Sequence, residues 1–266
     1  MREIKVIRSK QNQQIKDLKQ IGKKGPYKRA FVAEGLRLVE PVLASGMRLV
    51  AAVFGEGFAE KNEEVLLSLN QRLEGSLPFF VLGDDLFVEI ADTVTPQGIL
   101  LLVERRETAD FTALGDGARM LMVLDRVQDP GNVGTLVRTA AGFGMDGILA
   151  IEGTADPYEA KTVRSAMGAS LHIPIVLGLS VTEAYGWLKE HGFTIWAADM
   201  DGSDLSECKF TAPLALVLGN EGRGLSEEAR NGVDRVVRIP LSESVESLNV
   251  AIAGGIIAYQ MKRMVE

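Results

Sequence analysis

LALVLGNEGRGLS, residues 214–226, sets an unbroken apolar run directly against a turn that holds three glycines in six residues. A strand without polar alternation is buried on both faces, which places it inside a parallel sheet covered by helices. The turn then falls at the strand's carboxyl end, where open α/β sheets bind their ligands. Its glycines let the backbone adopt φ > 0 and approach a ligand closely. Glu221 argues against a phosphate cradle. An uncharged or cationic ligand, held by backbone amides and carbonyls, suits the turn better.

Outward from this stretch the same strand type recurs: MLMVLDRV (120–127), GILAI (147–151), IPIVLG (173–178), FTIWAAD (193–199) and VVRIP (236–240). The front of the chain keeps the rhythm with shorter runs, FVAE (31–34), LVAAVF (49–54), PFFVL (78–82) and GILLLVE (98–104), and helical stretches at 36–45, 57–73 and 84–91. Alternating strands and helices predict a parallel or mixed sheet with helices on its faces. Ser9 is placed to cap a first helix running to about Lys23, which Lys24-Gly25-Pro26 breaks. A polar run, RRETADFTALGDGA (105–118), reads as a structureless linker. The expectation is two α/β domains: residues 1–105, a linker at 106–118, and a larger domain at 119–266.

Composition bounds the function. With 46% hydrophobic and 24% charged residues over 266 positions, the chain can bury a core. One cysteine, Cys208, excludes a disulfide framework, and two histidines far apart argue against a zinc site. The amino-terminal MREIKVIRSKQNQQIK has no apolar core of signal-peptide length and no stretch reaches the length of a membrane span, so a soluble cytoplasmic protein without metal is expected. The net charge is −7, but residues 1–30 carry ten Lys or Arg against two acids. Lys10, Lys16, Lys23, Lys24, Lys28 and Arg29 are candidate RNA contacts on this arm. A solvated lysine-rich helix is the competing reading.

Gly142-Phe143-Gly144-Met145-Asp146-Gly147 imitates a dinucleotide fingerprint, but it closes a helix and precedes a strand. A phosphate site needs the opposite order, so these glycines read as helix ends. Neither a P-loop nor a nucleophile elbow occurs.

Three segments carry the chemistry. In LDRVQDPGNVGTLVRTA (124–140) a strand ends in a Pro-Gly turn and Asn132 sits where an N-cap belongs. Val133, Val137 and Ala140 form the core stripe of the following helix, with Thr135, Arg138 and Thr139 on the opposite side. Arg138 alone reads as a solvent-facing arginine. The second segment is the turn at 218–226. In the third, IPLSESVESLNVAIAGG (239–255), Ser247 is placed to cap a helix that is apolar all round and therefore buried. Asn249 is its polar intruder, either a satisfied core amide or a group aimed into a site.

Taken together and in this order, NVGTLVRTA, VLGNEGRGL and IPLSESVESLNV resemble the three motifs of the SpoU (TrmH-like) branch of the SPOUT RNA methyltransferases, over about residues 119–264. NxxIK followed by FVAEGxRLVE in residues 1–105 is similar to the RNA substrate-binding domain that some members carry in front. The resemblance implies S-adenosylmethionine-dependent methylation of a ribose 2′-hydroxyl, in ribosomal RNA ahead of transfer RNA, by a homodimer whose catalytic domain holds a trefoil knot. It assigns Arg138 the central catalytic place, with Asn132, Glu221, Ser247 and Asn249 around it. Cofactor contacts would come from Leu218, Gly219, Asn220, Gly222, Ile239, Leu241 and Leu248, largely through backbone. Glu243 replaces the family's usual glycine, and Ala251 a common serine. A transfer-RNA enzyme and a non-catalytic RNA-binding or ribosome-assembly factor on the same fold are the alternatives.

Overall fold

The structure is a computed structural model; it describes residues 6–72, 77–91, 93, 95–105 and 110–265. The chain divides into two compact units, Met1–Arg106 with Tyr158–Arg164, and Glu107–Pro157 with Ser165–Glu266.

The first unit is built on five strands: β1 (Val6–Ile7), β2 (Ala30–Glu34), β3 (Leu49–Gly55), β4 (Phe79–Leu82) and β5 (Ile99–Glu104). Their order is β1-β4-β3-β5-β2, with β5 antiparallel to both its neighbours and the other pairs parallel. The sheet is thus mixed, one of the two forms expected. Its helices are α1 (Gln13–Leu18), α2 (Val39–Ala44), α3 (Glu56–Lys61), α4 (Glu63–Arg72) and α5 (Asp84–Ile90). Ile15 and Leu18 of α1 join Val53, Leu82, Leu100 and Leu102 in one core.

Two expectations for this unit need correction. The first helix is short: Asn12, not Ser9, caps it by accepting from Gln14 N–H, and it ends at Leu18. The chain then turns at Gly22, whose N–H donates to Tyr27 C=O. The stretch 57–73 holds two helices, because Asn62 leaves helical geometry and its side chain donates to Phe58 C=O.

The second unit carries a six-stranded, all-parallel sheet in the order β11-β9-β10-β6-β7-β8. The elements are β6 (Met120–Leu124), α6 (Pro130–Gly142), β7 (Gly147–Ile151), β8 (Ile175–Leu179), α8 (Val181–Glu190), β9 (Thr194–Asp204), β10 (Leu214–Leu218), α9 (Glu227–Gly232), β11 (Arg235–Arg238) and α10 (Val250–Val265), while α7 (Ala160–Ala166) begins in the first unit and ends in the second. Strand period 2 divides the apolar runs between two cores. Met122, Leu124, Leu216 and Leu218 face α6 and α10, while Leu121, Val123, Ala215 and Val217 face α8 and α9. Both faces are filled, which is why β6 and β10 show no polar alternation.

The run expected to be structureless is not so throughout. Phe111–Leu114 forms a 3₁₀ turn capped by Asp110, Leu114 is buried, and Phe111 stacks on Trp187 at 5.2 Å. Two apolar residues in a polar run were enough to dock it. Residues 106–109 of that run, like Arg2 and Lys5 of the basic arm, lie outside the described residues.

Helix α10 also departs from expectation. Ala251, Gly254, Ile257, Ala258 and Met261 are buried, but Ile252, Ile256 and Tyr259 are about half exposed. The helix is apolar on both sides, yet only one side meets the core. It packs along α6: a Cβ on Gly254 would lie 2.6 Å from Leu136 Cδ2 and from Leu218 Cδ1.

Candidate active site

At the carboxyl end of β10 the backbone folds back on itself. Asn220 and Gly224 exchange N–H···O=C bonds of 2.9 Å each, and Asn220 Oδ1 accepts from Gly222 and Arg223 N–H at 3.0 Å. Gly224 takes φ +67, a conformation costly for a residue with a side chain. A Cβ on Gly219 would meet Gly224 C, Gly224 O and Leu225 N at 2.5–2.6 Å, so position 219 admits only glycine without moving backbone.

Two further bonds anchor this turn to the two residues that follow β6. Asn220 Nδ2 donates to Arg126 C=O at 2.9 Å, and Ser226 N–H donates to Asp125 Oδ2 at 2.6 Å. Asp125 is fully buried, and Arg126 takes φ +60. That sharp bend ends the strand at Leu124, short of the Val127 expected.

The first and third motifs meet the turn through three side chains. Glu221 accepts from Gln128 N–H (3.1 Å), Asp129 N–H (3.1 Å) and Asn132 Nδ2 (2.9 Å). Asn132 Oδ1 in turn accepts from Asn249 Nδ2 at 2.9 Å. Residues 89 and 117 positions apart are thereby joined in one chain of bonds. Burial works against the charge of Glu221, but the bonds from Asn132 and the backbone N–H groups outweigh it and hold the carboxyl below its ordinary 4.5.

The sign of the resulting pH effect follows. A carboxyl whose folded value is lowered stabilises above its unfolded value and loses that contribution as pH falls through the folded one. Glu221→Gln is therefore expected to melt below the wild type at pH 7, with the gap closing as pH falls below 4.5. Thermal melts across that range check it, and a gap independent of pH would contradict it.

Capping differs from expectation at both helices. Asp129, not Asn132, caps α6: Pro130 occupies the first turn, where no N–H is needed, and Asp129 Oδ1 accepts from Asn132 N–H at 2.9 Å. Asn249, not Ser247, serves α10, because its Oδ1 accepts from Ala251 and Ile252 N–H at 2.9 and 3.3 Å. Asn249 is exposed rather than a buried intruder, and its amide is satisfied at both ends. Asn249→Ala removes a cap and the link to Asn132. It is expected to cost roughly 0.5–2 kcal/mol, read from denaturant unfolding.

A cavity of about 430 Å³ opens over these residues. Of the expected cofactor contacts, Leu218, Gly219, Asn220, Gly222, Ile239, Leu241 and Leu248 all line it, together with Glu221, Ser247 and Asn249. Asn132 meets this group through its bonds to Glu221 and Asn249. Arg138 is not brought to the lining; it stands exposed on α6. Glu243 is exposed, in a turn where Val245 N–H donates to Ser242 C=O. Ala251 is buried behind the cap.

Sequence reading missed Ala198, Asp199 and Met200, which line the cavity from β9. The signal was a carboxylate following the apolar run FTIWAA, at a strand's carboxyl half. It also missed Asp125 and Asp129 as anchors. Of the basic arm, Lys10, Lys16, Lys23, Lys24, Lys28 and Arg29 are all exposed, but Lys10 pairs with Glu89, which also holds Lys19 at 2.6 Å. Among the described residues no cluster of three metal-ligating side chains occurs, and no helix is long and apolar enough to cross a membrane.

The cavity suits S-adenosylmethionine. Its volume falls within the roughly 300–1,000 Å³ of small-molecule sites. The glycine turn exposes backbone to the ligand, and the acidic lining matches a cation.

The chain matches the SpoU rRNA Methylase family over residues 119–259 and the MRM3-like substrate binding domain over residues 12–101. It is 33% identical to the 23S rRNA (guanosine(2553)-2′-O)-methyltransferase RlmP of Bacillus subtilis, covering 97% of this chain and 100% of that protein. The crystal structure of an AdoMet-bound rRNA methyltransferase from Sinorhizobium meliloti is similar with a TM-score of 0.83 and 30% identity, over 97% of each chain. The SpoU methyltransferase AviRb from Streptomyces viridochromogenes shares the fold, with a TM-score of 0.81 at 24% identity over 95% of this chain and 97% of that one. The chain belongs to the SpoU rRNA methylase family, as an S-adenosylmethionine-dependent RNA methyltransferase.

Proposed function

We propose that this chain methylates a ribose 2′-hydroxyl of large-subunit ribosomal RNA. The observation that carries the reading is the bonded chain Glu221–Asn132–Asn249, which brings all three motifs to one cavity at the end of β10. The large-subunit substrate rests on likeness to RlmP along the whole chain, front domain included.

When bound, the donor supplies an activated methyl on a sulfonium, so neither a metal nor a covalent enzyme intermediate is required. The protein's task is alignment, which can contribute several kcal/mol. Leu218, Gly219, Asn220, Gly222, Ile239, Leu241 and Leu248 position the donor. Glu221, Asn132 and Asn249 fix the turn against both helices, and Ser247 lines the cavity beside them. A guanidinium stays protonated, so Arg138 cannot take the hydroxyl proton. It holds the phosphate beside the target ribose and stabilises the developing alkoxide. The front domain, residues 1–105, supplies RNA affinity through its exposed cations, among them Lys16, Lys23, Lys24, Lys28 and Arg29, with Lys10 shared with Glu89.

The working form on this reading is a cytoplasmic homodimer whose catalytic domain is knotted. The half-exposed stripe Ile252, Ile256 and Tyr259 supports dimerisation, since an apolar helix face favours a partner over water. Light scattering of the wild type is expected to give twice 28.8 kDa, and Ile256→Glu the single mass.

The activity is tested by mapping ribose methylation across ribosomal and transfer RNA from cells with and without the protein, and by transfer from labelled donor to each RNA in vitro. Loss of one large-subunit modification, restored in vitro, is the expected result. A lost transfer-RNA modification overturns the substrate. No incorporation into any RNA favours the non-catalytic factor.

A further inference from the structure

The lining of the cavity has one sign of charge. Among the described residues that line it, Asp199 and Glu221 are acidic, and none is Lys, Arg or His. Glu221 is held in place by three donors. Asp199 lies in β9; its side chain is 15% exposed, its Oδ2 pairs with Arg230 of α9, and its Oδ1 accepts from Asp201 N–H at 3.4 Å. Arg230 is not part of the lining, and its side chain is 49% exposed. Asp199 thus adds an acidic side chain to a partly enclosed space, while Arg230, in direct contact with it from outside the lining, offsets part of that charge. Such a space favours a cation over a neutral ligand of the same shape.

Donor and product differ in that property. Breaking the S–CH₃ bond leaves its electron pair on sulfur, so the sulfonium becomes a neutral thioether while the rest of the molecule is unchanged. Shape distinguishes the two by a single methyl group. We infer that Asp199, with Glu221, makes this cavity distinguish the cationic methyl donor from its neutral thioether product, and that Arg230 limits the degree of discrimination. The inference rests on the cavity being the donor site. Its consequence is that each transfer removes the charge that held the ligand, so product gives way to fresh donor.

Calorimetric titration of the full chain with S-adenosylmethionine, S-adenosylhomocysteine and sinefungin tests this. Sinefungin carries an ammonium where the donor carries its methyl-sulfonium, so it keeps the charge without being reactive. Asp199→Asn is expected to weaken both cationic ligands by roughly tenfold and the neutral product by less than twofold. Arg230→Gln, at an exposed position, is expected to move the same ratio the other way. Equal weakening of all three ligands in Asp199→Asn, or an unmoved ratio in a folded Arg230→Gln, overturns the inference and leaves the donor site standing. Failure of the wild type to bind any of the three removes the donor site as well.

Discussion

Arg138→Ala is expected to lower methyl transfer by roughly 10²–10³-fold, the usual cost of removing one group that stabilises developing negative charge. Folding and donor affinity are expected to stay near wild type. Arg138 is exposed on α6, and the buried residues of that helix are Val133, Gly134, Leu136, Val137 and Ala140. Its truncation therefore opens no core void, and exposed substitutions of this kind stay within about 0.5 kcal/mol. It does not line the cavity proposed for the donor, so the loss belongs in turnover and RNA affinity. Arg138→Lys keeps the charge but loses the planar fork, and an intermediate rate is expected. Single-turnover methylation with saturating donor, alongside thermal melts, separates these effects. Near-normal turnover in the alanine variant would remove Arg138 from both proposed roles.

Gly219→Ala is expected to act in the opposite manner, on the cavity. The added Cβ falls 2.5–2.6 Å from three backbone atoms of Gly224 and Leu225, none of which is the free end of a side chain. The turn has to open, yet Asn220 to Arg126 and Ser226 to Asp125 tie it down on both sides. Overpacking of this kind costs on the order of 1–3 kcal/mol. Because the displaced backbone is the cavity wall, donor affinity is expected to fall by at least 100-fold, a loss that about 2.7 kcal/mol of misfit would produce. Titration with S-adenosylmethionine checks it. Donor affinity within threefold of wild type would show that the turn gives without disturbing the site.

Much of this is legible in the sequence. MLMVL and LALVL announce doubly buried strands, and they pair side by side at the centre of the second sheet. The glycine turn, the exposed face of Thr135 and Arg138, and the end of α6 at Gly142 all follow from period and turn chemistry. The three motifs were legible as a set.

What escaped was decided by partners distant in the chain. Asn132, Ser247 and Asn249 are all residue types able to cap a helix, and sequence spacing ranks them poorly. Asp129 and Asn249 take those places, and Asn132 is bonded instead to Glu221, 89 positions away. Phe111 and Leu114 look unremarkable in a polar run until Trp187 provides a surface. The apolar surround of α10 shows that the helix can be buried, but not which side the sheet covers. Periodicity is a property of neighbouring residues and so survives in a one-dimensional reading. Choosing among equivalent hydrogen-bond partners depends on loop closure over a hundred residues, and that choice exists only once the chain has folded.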